Sequence, residues 1–337
     1  MRYAESINQS LHNLMSDNRD VILIGEDILD PYGGAFKVAK GLSTRFSDQV
    51  ISTPISEPSI TGFATGMALR GLRPILEIMF GDFMTLCADQ IINHAAKFQD
   101  MYNNQVEVPL IIRTPMGARR GYGPTHSQTL ETIYLNIPNL TIASPSLFHD
   151  PGTNLEYFVK NTKSPVIFLE NKMAYSQMII DNEQAKKKYD LHVDNIGTED
   201  LPIMHLSTNK EEANITIIGH GGMSEFCAKA AKDIYDKESL DVEVILPLVI
   251  KPFPIDVITP FIRKSNRVIV VEESHLYSGW GAEVACQITE RCFDTLRAPV
   301  TRVGAANKSI PSSMELEKDV IPESSNIMQA IWDNVLH

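Results

Sequence analysis

The amino-acid sequence predicts two α/β domains, each built on a mainly parallel sheet. Short apolar runs, rich in β-branched residues and bounded by Gly, Pro or Asp, alternate with segments of helical length. This alternation is typical of parallel sheets covered on both faces by helices. The chain has 337 residues and an apolar fraction of 43%. Because one hydrophobic core rarely grows to this size, we expect two domains.

Six apolar runs predict the strands of the first domain. They occupy residues 21–24, 50–51, 74–78, 109–113, 140–143 and 165–169. Three of the intervening segments have helical length, at residues 59–71, 83–101 and 150–161. Each run is short and continuous, which indicates strands that are buried on both faces.

A polar segment at residues 177–212 has no clear apolar period and predicts a linker. Its lysine run, 186–188, is interpreted as a solvated surface, with an anion site as the alternative. A second alternating set follows. Its predicted strands are at 215–218, 242–245, 268–271 and 300–303, and its predicted helices at 224–235, 281–293 and 325–336.

The charge and cysteine content exclude several classes of protein. The formal net charge of −12 repels phosphate backbones and anionic lipid, and no basic patch offsets it. The longest charge-free apolar run, 244–250, is too short to cross a membrane. The four cysteines form no Cys-x-x-Cys pair and lie among small apolar residues, which predicts buried thiols. With no signal-like N-terminus, we expect a cytoplasmic protein that binds neither nucleic acid nor membrane.

The loop after the strand at 50–51 contains the first candidate residue. In open α/β sheets the carboxyl ends of the strands carry the functional site. Glu57 lies there between small residues, and Pro58 suits the first turn of the following helix. A helix cap with an acidic first turn is the alternative. Gly62 and Gly66 in that helix predict close approach of a ligand or of another backbone.

Two further loops carry candidate residues. Phe80 and Phe83 follow the strand at 74–78 and form either a flat wall for an aromatic ligand or part of the core. The segment 117–128 holds three glycines and ends near His126, a candidate general acid or base. A hydrogen-bonded loop histidine is the alternative. The sequence lacks the P-loop, dinucleotide, zinc-protease and serine-hydrolase motifs, which disfavours those classes.

Together, several segments resemble the beta subunits of the thiamine-diphosphate-dependent decarboxylating component of 2-oxo acid dehydrogenases (pyruvate, branched-chain or acetoin). The matching segments are 25–27, 33–36, 41–42, 53–57, 71–75, 89–97, 126–128, 165–170 and 281–283. The resemblance spans nearly the whole chain and is weaker after the linker. It implies a pyrimidine-binding-type parallel-sheet domain at 1–176, a linker at 177–212 and a transketolase C-terminal-like α/β domain at 213–337.

The resemblance also implies functional residues. Glu57 would hydrogen-bond the pyrimidine ring of thiamine diphosphate, and Ile55, Met79 and Phe83 would form an apolar wall around that ring. His126 would lie near the substrate and assist decarboxylation or acyl transfer. The diphosphate and its Mg²⁺ would be held mainly by a separate alpha subunit, in a heterotetramer of two alpha and two beta subunits. A lipoyl acyltransferase core would be a further partner, and this chain would supply no metal ligands.

Two departures from the family pattern leave other functions open. Residues 245–248 read Ile-Leu-Pro-Leu where the family usually has Asp-Leu-Arg, and Arg119 and Arg120 add charge to the loop before His126. We expect these arginines to meet an anionic substrate or the partner subunit, with solvent exposure as the alternative. The departures are compatible with a two-subunit transketolase-like enzyme that uses an aldehyde acceptor. A non-catalytic scaffold subunit is the third hypothesis.

Overall fold

The computed structural model describes residues 1–336. The chain divides into two compact units. The first comprises Met1–Met116, Ile133–Ala143 and Asp150–Met178, and the second comprises Gly117–Thr132, Ser144–His149 and the chain from Ile179 onward. In these described residues no helix is both long and apolar enough to span a bilayer.

The helices and strands alternate along both units. The helices are α1 (Tyr3–Asp17), α2 (Leu42–Arg45), α3 (Glu57–Leu69), α4 (Met84–Asp89), α5 (Phe98–Met101), α6 (Pro151–Asn161), α7 (Asn182–Tyr189), α8 (Ser224–Glu238), α9 (Ile255–Ser265), α10 (Trp280–Cys292), α11 (Met314–Glu317) and α12 (Ser324–Leu336). The strands are β1 (Val21–Gly25), β2 (Val50–Ser52), β3 (Arg73–Glu77), β4 (Ile111–Met116), β5 (Thr141–Ala143), β6 (Val166–Asn171), β7 (His192–Asn195), β8 (Ile203–Ser207), β9 (Ile215–Gly219), β10 (Val242–Pro247), β11 (Val249–Lys251), β12 (Val268–His275) and β13 (Thr301–Ala305).

The sheet of the first unit runs in the order β5-β6-β4-β3-β1-β2, with every one of these pairs parallel. Strands β1 and β4 are buried along their whole length. Because helices cover both faces of such a sheet, its strands read as continuous apolar runs, which is the pattern in the sequence. The predicted α/β fold class is confirmed.

A buried ion cluster crosses the middle of this sheet. Arg113 on β4 donates to Glu170 on β6, at 2.8 Å from Nε and 2.7 Å from Nη2, and also to Glu77 on β3. The Tyr175 hydroxyl donates to the same Glu170 carboxylate at 2.6 Å. Burial raises the pKa of Glu77, and the positive charge of Arg113 opposes that rise. We call Glu77, Arg113, Glu170 and Tyr175 the arginine cluster.

The sheet of the second unit runs in the order β13-β12-β9-β10-β8-β7. Strands β13, β12, β9 and β10 pair in parallel, whereas β8 pairs with β10, and β7 with β8, in antiparallel fashion. The segment predicted as a linker, 177–212, therefore differs from the prediction, because it contains α7 and both antiparallel strands. Strand β7 lies at the edge of the sheet, where polar residues are tolerated, and the inner strand β8 is short and contains His205 and Ser207. Neither strand therefore gives a clear apolar signal.

Three further expectations are refined by the structure. The predicted helix at 83–101 is divided into α4, a π-helical segment at Gln90–Ala95 and α5. Lys186 and Lys188 are exposed and form ion pairs with Asp190 and Glu225. All four cysteines are free, but only three are buried, because Cys286 lies on the exposed side of α10.

Candidate functional site

The loop between β2 and α3 buries the carboxylate-bearing residue Glu57. Ser56 precedes the helix but does not cap it, since its hydroxyl donates to the Ser59 hydroxyl at 2.8 Å. Glu57 is the first residue of α3, and only 7% of it is exposed. An acidic residue that merely caps a helix would keep its charge in water. The helix N-terminus favours a negative charge at this position. A buried negative charge requires a buried partner, which makes Glu57 a candidate for binding a ligand group.

A second buried carboxylate faces Glu57. Glu26 follows β1, is 7% exposed and accepts a hydrogen bond from the Ser56 amide at 3.2 Å. Burial raises the pKa of Glu26, and the negative charge of Glu57 raises it further. The two residues meet because β1 and β2 are parallel neighbours whose carboxyl ends share one edge. The sequence interpretation gave Glu26 no role, although its position directly after β1 was the available signal.

The thiol of Cys87 joins Glu57 to the aromatic residue Phe83. Its sulfur lies 3.8 Å from the carbonyl oxygen of Glu57 and 3.7 Å from that of Phe83. Burial raises the pKa of this thiol to about 12, so it stays protonated and can donate. The structure therefore brings Glu57 close to the start of α4, and both belong to the first unit.

The predicted apolar wall is half-buried at two positions and open at the third. Met79 and Phe83 are partly exposed, and Ile55 is 78% exposed. The Phe80 and Phe83 rings pack edge to face with centroids 5.9 Å apart. The turn that carries them depends on Gly81, because a Cβ there would lie 2.2 Å from Cγ of Met116. The binding roles of Ile55, Met79 and Phe83 stay predictions.

His126 lies in the second unit, in the segment 117–132, which we call the histidine loop. Its ring Nδ1 is 3.0 Å from the Thr125 hydroxyl, and its backbone amide donates to the Gly123 carbonyl at 3.3 Å. The loop does not lead into an α-helix. It ends in a short 3₁₀ turn that begins at Glu131. Glu57 and His126 thus belong to different units, and the catalytic role of each stays a prediction.

Arg119 has partners within its own unit. Its guanidinium group pairs with Glu323, donates to the Pro322 carbonyl at 2.6 Å and lies 4.0 Å from the centroid of the Phe226 ring. Arg120 instead donates to the Tyr122 hydroxyl at 3.3 Å. Arg119 is therefore paired within the chain, and its expected contact with an anionic substrate or a partner subunit stays a prediction. A planar guanidinium suits this combination of a carboxylate and a ring face.

The two glycines of α3 differ in their surroundings. A Cβ at Gly62 would lie 3.1 Å from the Gln90 side chain, whereas a Cβ at Gly66 would meet nothing within 4 Å in the described chain. Phe63 on the same helix is 59% exposed. A side chain therefore lies close to Gly62, and the face around Gly66 is open. Close approach of a ligand or of another backbone to these glycines stays a prediction.

The side chains around Glu57 suit a flat heterocycle. A buried carboxylate can accept a hydrogen bond from a protonated ring nitrogen, and Phe83 offers an aromatic surface beside it. Within residues 1–336, no three His, Cys, Asp or Glu side chains come together in an arrangement that could hold a metal ion.

Two protein-family models match the chain. Residues 1–177 match the model described as the transketolase pyrimidine binding domain, and residues 204–327 match the transketolase C-terminal domain.

The sequence is similar to several pyruvate dehydrogenase beta subunits. Pyruvate dehydrogenase E1 component subunit beta-2 of Oryza sativa subsp. japonica, a mitochondrial protein, is 34% identical over 98% of this chain and 85% of its own length. The mitochondrial subunit beta of Saccharomyces cerevisiae is 32% identical over 98% of this chain and 88% of its own. The subunit beta of Rhizobium meliloti is 30% identical over 98% and 69%.

Two solved structures share the fold. A split-gene transketolase, described as an inactive beta4 tetramer, gives a TM-score of 0.72 at 17% identity and covers 98% of this chain and 97% of its own. A transketolase mutant from Pichia stipitis gives a TM-score of 0.67 at 12% identity and covers 99% of this chain and 46% of its own.

Proposed function

Because the chain belongs to the family of pyruvate dehydrogenase E1 beta subunits, with their transketolase-like domains, we propose that it is the beta subunit of a thiamine-diphosphate-dependent 2-oxo acid dehydrogenase. One observation carries the proposal. Glu57 is a buried carboxylate at the first turn of α3, joined through Cys87 to the segment that bears Phe83. It lies in the part of the chain that matches a pyrimidine-binding model.

The residues of this chain would bind and polarise the pyrimidine end of the cofactor. Glu57 would accept a hydrogen bond from the ring nitrogen, and its burial strengthens such a bond. The second carboxyl group, Glu26, would favour protonation of the ring nitrogen, because a positive charge on the ring offsets the repulsion between two buried negative charges. Phe83 and Met79 would contact the ring and exclude water. Thiamine diphosphate, when bound, supplies the carbon nucleophile that attacks the oxo carbon of the substrate.

The remaining parts of the reaction would come from His126 of this chain and from partners. An alpha subunit would hold the diphosphate and Mg²⁺, so that the beta subunit alone would be inactive. His126 would act next to the substrate, and a lipoyl group would accept the acyl unit. The names of the curated relatives, which are beta subunits of pyruvate dehydrogenase, support an alpha partner and a small 2-oxo acid.

The test uses the complex reconstituted with an alpha-type subunit. We expect ferricyanide reduction with a simple 2-oxo acid and acylation of a free lipoyl domain. Glu57→Gln should lower kcat by about 10²–10⁴-fold, because Gln cannot share the proton with the ring nitrogen. Glu183→Gln is the matched control, since Glu183 also lies in the first turn of a helix but is exposed.

The outcomes separate the competing functions. Unchanged turnover in Glu57→Gln would remove the catalytic assignment and favour a scaffold subunit. Decarboxylation without lipoyl acylation, together with a product formed from an added aldehyde, would favour the transketolase-like enzyme. Calorimetric titration of thiamine diphosphate into both variants checks that the loss of activity arises at the cofactor.

A further inference from the structure

The histidine loop is held at its first half by side chains of the second unit. Ala118 is buried in an apolar cluster with Ala305, Ile310, Val320 and Ile321. The Ala118 amide donates to Glu273 at 2.7 Å, and the Gly121 amide lies 3.2 Å from an oxygen of the buried Glu317. The pairing of Arg119 with Glu323 adds a third attachment. Residues 118–121 are therefore fixed by three carboxylates.

The second half of the loop contains two buried polar side chains. Ser127 and Glu131 are each 1% exposed. Neither oxygen of the Glu131 carboxyl group has a hydrogen-bond partner within residues 1–336. His126 lies between these two fixed halves and is only half-buried. His126 therefore adjoins the half of the loop that contains the buried Glu131.

Glu131 faces two acidic residues of β12, Glu272 and Glu273. Glu272 is fully buried and well supplied with donors, because the Ser274 hydroxyl lies 2.7 Å and the Gly281 amide 3.1 Å from its oxygens. The positive charge of Arg302 on β13 also acts on Glu272. Glu273 accepts the Ala118 amide. We call Glu131 and Glu272 the carboxyl pair.

The donors around the carboxyl pair decide which member carries a proton. A buried carboxylate without donors is costly, whereas a neutral carboxyl group costs much less. Burial, and next the charge of Glu272, raise the pKa of Glu131 to about 7, and burial raises the pKa of Glu272 to about 7. Two such groups titrate as a coupled pair. The Ser274 hydroxyl acts on both carboxyl groups but donates to Glu272 at 2.7 Å, and this geometry favours the shared proton on Glu131.

We propose that Glu131 is a positioning residue for His126: in its protonated form it keeps the second half of the histidine loop packed on β12, and its loss of the proton releases that half. The inference rests on the proposed function only where it concerns turnover. The loop ordering itself is a property of this chain. Since the proton is retained more strongly in the packed state, packing weakens as the pH rises through about 7.

Hydrogen-exchange mass spectrometry on the full chain, in complex with its partner, tests the loop directly. After correction for intrinsic exchange, we expect residues 126–132 to lose protection by about tenfold or more between pH 6 and pH 8.5. Glu131→Gln keeps a neutral side chain of the same shape and should keep the protection at pH 8.5. Equal pH dependence in the wild-type chain and this variant would overturn the proposal.

A second variant keeps the test valid if Glu131→Gln does not fold. Glu272→Gln removes the like charge beside Glu131, so the loss of protection should move to lower pH. A midpoint that stays or rises would contradict the proposal. Glu317→Gln is the control, because it alters a loop contact without touching the carboxyl pair, and it should change protection by a similar factor at every pH.

Turnover gives an independent readout. In the active complex, Glu131→Gln should extend the basic limb of the kcat/KM profile to higher pH, with little change in kcat/KM at pH 6. If no 2-oxo acid is turned over but the exchange behaviour is as expected, the proposed function fails and the loop inference stands. If turnover occurs and the basic limb does not move, the positioning role is wrong.

Discussion

The arginine cluster of the first unit and the carboxyl pair of the second both bury two glutamates, yet they balance the charge differently. Arg113 lies between Glu77 and Glu170 and donates to both. Glu131 and Glu272 have no cation between them, and Arg302 acts on Glu272 from outside the pair. The first arrangement stores a fixed charge and holds three strands together. The second stores a proton, and its charge state can change near neutral pH.

The largest expected effect comes from removing the cation of the arginine cluster, which leaves two buried carboxyl groups without a cation between them, as in the carboxyl pair. Arg113→Met should destabilise the chain by about 3–5 kcal/mol, because it leaves two buried carboxylates without a cation. Urea unfolding followed by circular dichroism measures the change, with the exposed Arg19→Met as the control. The loss should be smaller at pH 5, because burial raises the pKa of Glu77 and the variant lacks the Arg113 charge that opposes this rise. A loss below about 1 kcal/mol at pH 7.5 would show that the cluster is not ionised as described.

A smaller effect is expected from removing the hydroxyl that supports Glu170. Tyr175→Phe deletes the 2.6 Å hydrogen bond to its carboxylate and should cost about 1–3 kcal/mol, as hydrogen bonds to charged groups usually do. The same urea experiment applies, and Tyr235→Phe serves as control because Tyr235 is 42% exposed. No loss would mean that Arg113 alone satisfies Glu170.

The carboxyl pair should show the opposite response to pH. Its pKa values of about 7 are raised, so the folded state binds more protons than the unfolded state, and its contribution to stability falls as the pH rises to about 7. Glu131→Gln should therefore be more stable than the wild-type chain by about 1–2 kcal/mol at pH 8.

Tryptophan fluorescence suits this measurement, because both tryptophans, Trp280 and Trp332, belong to the second unit. At pH 3.5 the variant and the wild-type chain should have nearly equal stability, since Glu131 is then mostly protonated in both the folded and the unfolded state. A constant difference between them across the pH range would argue against a proton on Glu131.

The smallest expected effect concerns the distant cation. Arg302→Met removes the positive charge that lowers the pKa of Glu272, so Glu272 takes up a proton more readily and its negative charge beside Glu131 weakens. The pH midpoint of the loop transition should therefore fall by about half a unit or less. Hydrogen exchange of residues 126–132 detects it. Lys318→Met is the control, because Lys318 is exposed and pairs with Glu315. An upward shift would contradict the electrostatic account.

Continuous apolar patterns made much of the fold predictable. Strand β1 is buried along its whole length and its sequence reads as an unbroken apolar run, and β6 begins with such a run at residues 166–169. The edge strand β7 and its inner neighbour β8 escaped prediction because their polar residues hide the period of two. The π-helical segment 90–95 has no sequence signature of its own, since it differs from an α-helix only in hydrogen-bond spacing.

The candidate site was predictable where one residue followed one strand. Glu57 was identified from its place between β2 and α3. The partners of Arg119 and Glu131 were not, because Glu323 and Glu272 lie more than a hundred positions away along the chain and meet them only through folding. The burial of Glu26 was also not readable from its neighbours, because a carboxylate after a strand is exposed in most proteins.

The exposed thiol of Cys286 offers a way to watch this protein assemble. The other three cysteines are buried, so a maleimide dye should attach at one position on α10 under mild conditions. A single fluorophore at a known place would report rotational diffusion, and hence the size of the particle, as an alpha-type subunit is titrated in. The native sequence therefore already contains a handle for stoichiometry measurements, without an engineered cysteine.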